Sequence, residues 1–405
     1  MAGLSLCLLV GAGLLAWAVT SDDPYVAPAP KPAVARQSVQ PALATQTLAR
    51  FQQAVDDRDP DAVLALAPEG DTATADALAG IVRNADLLQV DDFTLRYVDA
   101  EGSRSDEAGG WSAAVDATWE FRGFDRAPAT TELIVRLRND GDRVALTGIG
   151  GGDRVSPLWL SGPLQVRRTA STLVMVDGTA AAADGYARRA RAAVPVVRRV
   201  LPQWRRGLVV EVPASVGALD RTLDADPGTY DQIAAVTTAA DASLVPDAPV
   251  HVFVNPDVFG DLRPTGAQVV MSHEATHVAT DAWVSQLPLW LLEGFADYVA
   301  LRDVDLPLST SAAQIIAEVR RDGPPRALPG AAEFDTRTVD LGATYESAWL
   351  ACRLLAQDGG EDALVSFYRD VDRGTELAAA LRSSFGLSVA ELTRQWRTFL
   401  SDSAK

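Results

Sequence analysis

Residues 273–277 read His-Glu-Ala-Thr-His, and no other stretch of the chain restricts its fold as tightly. They lie within 266–280, where Val269, Val270, Met271, Ala275 and Val278 recur at helical spacing with no proline or internal glycine, so the segment is predicted to be a helix. On a helix, residues four apart stack on one face, which lets His273 and His277 grip one ion together while Glu274 leans off beside them. Neutral imidazole is a preferred zinc ligand, and two such nitrogens leave the rest of a tetrahedral shell to one more side chain and a water. The chain has three histidines, and two of them fall at this spacing around a glutamate.

A third ligand is offered by residues 288–301, a stretch that opens with Pro288 and reads as a second, largely buried helix. Glu293 is its first carboxylate, and a carboxylate in so apolar a run needs a partner because an unpaired buried charge is costly. A zinc ion would be that partner. Asp297 follows four residues later on the same face, placed to accept the outer N–H of a zinc-bound histidine.

The paired segments resemble the zincin metallopeptidases with a glutamate third ligand, the gluzincins, and most closely their peptidase MA-like branch. Trp-x-x-Glu-Gly-x-Ala recurs on the second helix of that branch, and here Trp290, Glu293, Gly294 and Ala296 match it. The resemblance spans roughly residue 173 to the C-terminus. It implies one Zn2+ held by His273, His277 and Glu293, with Glu274 as the general base that activates a zinc-bound water and Asp297 as the supporting aspartate. It also implies that Tyr345 donates to the oxyanion, and that the substrate is a peptide or protein. The alternative is a zincin-like surface protein that binds or scaffolds without turnover.

At 405 residues the chain has room for two globular domains plus extensions. A formal net charge of −18 argues against nucleic acid or an anionic membrane surface as a partner, since both attract basic patches. Residues 1–20 are expected to be a signal peptide or membrane anchor that engages membrane or export machinery, which makes the protein exported and either anchored or secreted. Cys7 belongs to that apolar core. Residues 21–42, rich in proline and alanine, read as an extended spacer. Cys352, the remaining cysteine, is expected inside a buried helix.

The fold class is α+β. Residues 43–150 are predicted to place helices at 44–56, 61–67 and 74–88 before strands at 111–121, 131–138 and 144–149, with Asn139-Asp-Gly-Asp142 as a hairpin turn. Helices followed by an antiparallel sheet resemble the cone-like nuclear-transport-factor-2 (NTF2-like) fold, in which Tyr97, Trp111 and Trp119 read as strand core. Residues 168–405 form the zincin-like, mostly helical domain with a small sheet. Its strands are expected at 171–176, 208–213 and 250–255, the last as the edge that pairs with substrate, and its arginine-rich helix 185–201 is interrupted at Pro195. His251 is not expected to be a ligand, because three are already supplied and catalytic zinc keeps an open position. Residues 306–342 read as irregular cleft rim, followed by helices at 343–357, 361–372, 376–385 and 389–401, the last opened by a capping box of Ser388 and Glu391.

Overall fold

Pro41, whose missing N–H is no loss in a first turn, opens α1 (Pro41–Asp56), and Asp71 caps α2 (Thr72–Leu88) by accepting from the Thr74 N–H at 3.0 Å. These helices cover a four-stranded antiparallel sheet of β1 (Val90–Ala100), β2 (Gly110–Phe121), β3 (Ala129–Asp140) and β4 (Arg143–Ile149), paired in chain order. Alternation along β2 sends Trp111, Val115, Trp119 and Phe121 into the core beneath the helices, as the strand pattern predicts. The helix expected over 61–67 is instead one 3-10 turn at Leu64–Leu66. Asp59 Oδ1 accepts from the N–H groups of Asp61 and Ala62, which winds a turn, and Pro68 leaves no length for a helix. The computed structural model describes residues 38–335 and 340–405; the expected leader or anchor over 1–20 and the spacer as far as residue 37 fall outside them.

The second sheet has β5 (Gln165–Arg168), β6 (Thr172–Val176), β7 (Leu208–Val212), β8 (Ala235–Ala239) and β9 (Val250–Val254), in the order β5-β6-β7-β9-β8. The inner strands β6, β7 and β9 run parallel, while the flanking β5 and β8 are antiparallel to their neighbours. Between β6 and β7 crosses α3 (Ala180–Val200). It runs on through Pro195 without the expected interruption, because Val194, Val197 and Val200 on either side of the proline are buried against one core. Residues 151–168 are more than a joint: Leu158, Trp159 and Leu160 are buried, and β5 completes the second sheet.

Period-two alternation makes that sheet a shared wall. Leu173, Met175 and Val209 point into the core under β1–β4, whereas Val174, Val176, Leu208, Val210 and Val212 point into the larger helical core. The strand expected at the edge, β9, lies inside the sheet between β7 and β8. Four of its five residues are fully buried, as suits an interior parallel strand, and the edge falls to β8, whose Thr237 and Thr238 are half-buried.

The short helix α4 (Val216–Thr222) lies between β7 and β8, α5 (Pro256–Asp261) leads from β9 into α6 (Pro264–Thr280), and α6 packs against α7 (Leu289–Leu301). The segment expected to be irregular carries α8 (Ala313–Asp322), whose Ile315, Ile316 and Val319 are buried. The chain ends in α9 (Leu341–Gly359), α10 (Glu361–Asp372), α11 (Leu377–Phe385) and α12 (Val389–Ser403), the last with the Ser388/Glu391 capping box. Cys352 on α9 is fully buried. At Gly294 the backbones of α7 and α9 come so close that a Cβ would lie 2.4 Å from the Ala348 carbonyl oxygen. Among the described residues no helix is both long and apolar enough to cross a membrane.

Candidate metal centre

Helices α6 and α7 bring His273, His277 and Glu293 to one point. The two Nε2 atoms are 2.9 Å apart, and Glu293 Oε2 is 3.2 Å from that of His273 and 3.3 Å from that of His277. Atoms each about 2.05 Å from a tetrahedral centre would be separated by about 3.3 Å, so the three atoms are spaced as ligands of one zinc ion. The imidazole planes meet edge-on at 85°, which turns both nitrogens to the common point.

Asp297 Oδ1 is 2.8 Å from His273 Nδ1. An ionised carboxylate only accepts, so Nδ1 carries the hydrogen and donates it, and Nε2 presents a bare lone pair. Two imidazole nitrogens and a carboxylate oxygen facing one another at hydrogen-bond distance repel unless positive charge lies among them. Glu274, Glu293 and Asp297 cluster here, and none has an Arg or Lys ion-pair partner among the described residues. The donor set therefore fits a divalent cation with nitrogen and oxygen preferences.

The local electrostatics agree. Burial pushes the Glu293 carboxyl up, but His277 and then His273 outweigh it and hold it well below the usual carboxylate range. Burial likewise opposes charge on His273, and Asp297 followed by Glu293 overrides that, raising its pKa well above that of free imidazole. Both shifts say that the pocket stabilises positive charge at its centre.

Glu274, adjacent to His273 in sequence, is buried and belongs to no ligand contact; its Oε2 accepts from the Thr237 hydroxyl at 2.7 Å. Thr237 comes from β8, so the edge strand and Glu274 are tied directly. Neither β8 nor Thr237 is among the expected elements of the site, although the β-branched run Val236-Thr237-Thr238 is a strand signal. Tyr345, on the second turn of α9, is brought to the site: its ring centroid lies 6.2 Å from that of His273 and packs edge-on against Phe334. Burial, then Glu293, Asp297 and Glu274, drive its phenol pKa up, so the hydroxyl keeps its proton and remains a donor.

His251 lies apart from this centre. It is fully buried, with Nδ1 2.6 Å from Glu211 Oε1 on β7 and Nε2 3.0 Å from Asp125 Oδ1 in the turn after β2. The two carboxylates approach opposite nitrogens of one ring and so bracket it. No family model matches the chain, and no curated protein matches it in sequence.

Proposed function

We propose that the chain is a zinc-dependent metallopeptidase of the gluzincin type. The observation that carries this reading is the convergence of His273 Nε2, His277 Nε2 and Glu293 Oε2 beside Glu274, with Asp297 behind His273 and, among the described residues, no Arg or Lys ion-paired with the acids. Zinc bound there would supply Lewis acidity toward a scissile carbonyl and make water acidic enough to attack near neutral pH. Glu274 takes the proton from the attacking water and passes it to the leaving amine, a role that needs the carboxylate beside the metal ligands and free of them. The Thr237 hydroxyl fixes the rotamer of Glu274 for that transfer. Tyr345, kept protonated, donates to the developing oxyanion.

An extended peptide adds to β8, whose outer edge has no strand partner in the five-stranded sheet. Pairing there would lay the substrate backbone past Thr237 and hence past Glu274. Helices over the β1–β4 meander support an NTF2-like cone for the first layer, to which we assign no catalysis. The apolar run 1–20 supports action outside the cytoplasm, anchored or secreted.

The test is metal content and hydrolysis of a mixed peptide pool by the full chain. Parent protein should hold one zinc and cleave; Glu274→Gln should hold zinc and not cleave; His277→Ala should lose the metal. Zinc retained equally by His277→Ala, or full hydrolysis by zinc-loaded Glu274→Gln, would overturn the assignment.

A further inference from the structure

The C-terminal end of α6, at Ala279 and Thr280 just past His277, opens onto a concavity of about 380 Å³, walled by the loop between α3 and β7 and by α10. Arg126, Arg205, Arg206, Arg369 and Arg373 line it. The chain as a whole carries a formal charge of −18, so five guanidiniums around one hollow run against its general trend. Two carboxylates share the wall, Asp281 and Asp372, and Asp247 pairs with Arg126, which leaves an excess of two positive charges.

Structural pairing accounts for part of this set. Arg206 Nη1 reaches Asp281 at 3.0 Å, Arg126 reaches Asp247 at 3.4 Å, and Arg369 donates to Gln203 at 2.7 Å. Asp372 is engaged by the Ser285 hydroxyl at 2.7 Å. Arg205 and Arg373 have no side-chain partner among the described residues, and two buried donors of the wall, Arg206 Nη2 and Trp204 Nε1, have no acceptor. Buried donors are nearly always satisfied, so the wall lacks an acceptor-rich group.

The loop that carries these donors is held from behind. Arg198 donates to the carbonyls of Trp204 and Arg206, both at 3.2 Å, and its guanidinium lies 5.5 Å from the Trp204 ring centroid. A loop fixed in this way presents its donors without an ordering cost on binding. The surplus charge exceeds what one carboxylate neutralises, whereas a phosphate group brings about two negative charges and three acceptor oxygens that match guanidinium forks.

We propose that this concavity binds a phosphate-bearing ligand, either a soluble phosphate compound or a phospholipid headgroup. The site uses none of the proposed metal ligands, and its test does not depend on peptidase activity. Titrate the full chain with inorganic pyrophosphate by calorimetry at constant ionic strength, beside the double variant Arg205→Ala/Arg373→Ala and the single variant Arg206→Gln. In parallel, measure recruitment to phosphatidylcholine vesicles with and without phosphatidylglycerol.

Loss of charged hydrogen bonds predicts at least about tenfold weaker binding in the variants. Saturable one-to-one pyrophosphate binding that weakens in this way supports a soluble ligand. Recruitment to the phosphatidylglycerol vesicles that exceeds recruitment of the double variant supports a headgroup. Because Arg205 and Arg373 are exposed and unpaired, the double variant should fold as the parent does. The proposal falls if parent and variants respond alike in both arms, if neither probe binds, or if a polyglutamate peptide binds more tightly than pyrophosphate.

Discussion

His251 should be a buried cation, and its proton should stabilise the fold up to alkaline pH. Both ring nitrogens face a carboxylate, Glu211 at 2.6 Å and Asp125 at 3.0 Å, and each carboxylate accepts, so both nitrogens must donate. Burial on its own lowers the pKa of the ring; Asp125 and then Glu211 override it and hold the value up at about 9. The ring also stacks on Phe121, 5.5 Å between centroids and 18° between planes, so it has little freedom to leave.

An unfolded histidine titrates near 6.5, and the rise from there to about 9 corresponds to about 3 kcal/mol. The sign follows from a folded pKa raised above the unfolded one: the contribution is complete below about pH 6.5 and is lost as pH climbs through about 9. Urea unfolding of the zinc-loaded full chain between pH 6 and 10 should show that fall, and proton NMR should place the His251 ring titration near the upper end. With three histidines in the chain, two of them at the metal centre, the signal is readily assigned. A His251 ring that titrates at or below 6.5, or stability that stays level from pH 6.5 to 9.5, would refute the clamp.

Three further outcomes follow from the site. Gly294→Ala puts a methyl 2.4 Å from the Ala348 carbonyl oxygen, and since that atom is backbone the helices must part; urea midpoints should report a loss of about 1–3 kcal/mol, and no change would mean that α7 and α9 are less closely packed than described. Asp297→Asn should keep the fold but weaken zinc binding about 10- to 100-fold in a chelator competition, because His273 loses the carboxylate that orients it. Thr237→Val should leave zinc content intact and lower the hydrolysis rate about tenfold through a misplaced Glu274, and undiminished turnover would remove Thr237 from the mechanism.

Much of the centre was legible because its determinants are local. Four-residue spacing puts His273 and His277 on one face whatever the rest of the chain does, and the lone carboxylate of an apolar helix start marked Glu293. Helix α12 was equally readable, since Ser388 and Glu391 satisfy each other's backbone within three residues. What failed was non-local. Pro195 reads as a break by propensity, yet packing of α3 against α6 and the sheet keeps the helix whole. The order of strands in the second sheet is set by crossovers, so β9 gave no local sign that β8 would take the edge beyond it. Asp125 and Glu211 are separated from His251 by 126 and 40 residues, distances at which sequence spacing carries no geometry.

That last cluster explains why the layer of β1–β4 belongs to the same folded body as the metal helices. Alternate residues of β6 and β7 face different cores, so neither core can form its wall without the strands that serve the other. Asp125 then reaches from the first layer to His251 in the middle of the second sheet, and its other oxygen accepts from the Phe121 N–H at 2.7 Å, which anchors it to the end of β2. Register passes from His251 to its partner Thr238 on β8, next to the Thr237 that holds Glu274. Removal of the first layer would leave Glu211 and His251 without their third member and expose Leu173, Met175 and Val209. Residues 168–405 expressed by themselves should therefore be less stable than the whole chain, and the His251 pKa should fall in them because Asp125, the larger of its two raising partners, is gone while Glu211 remains.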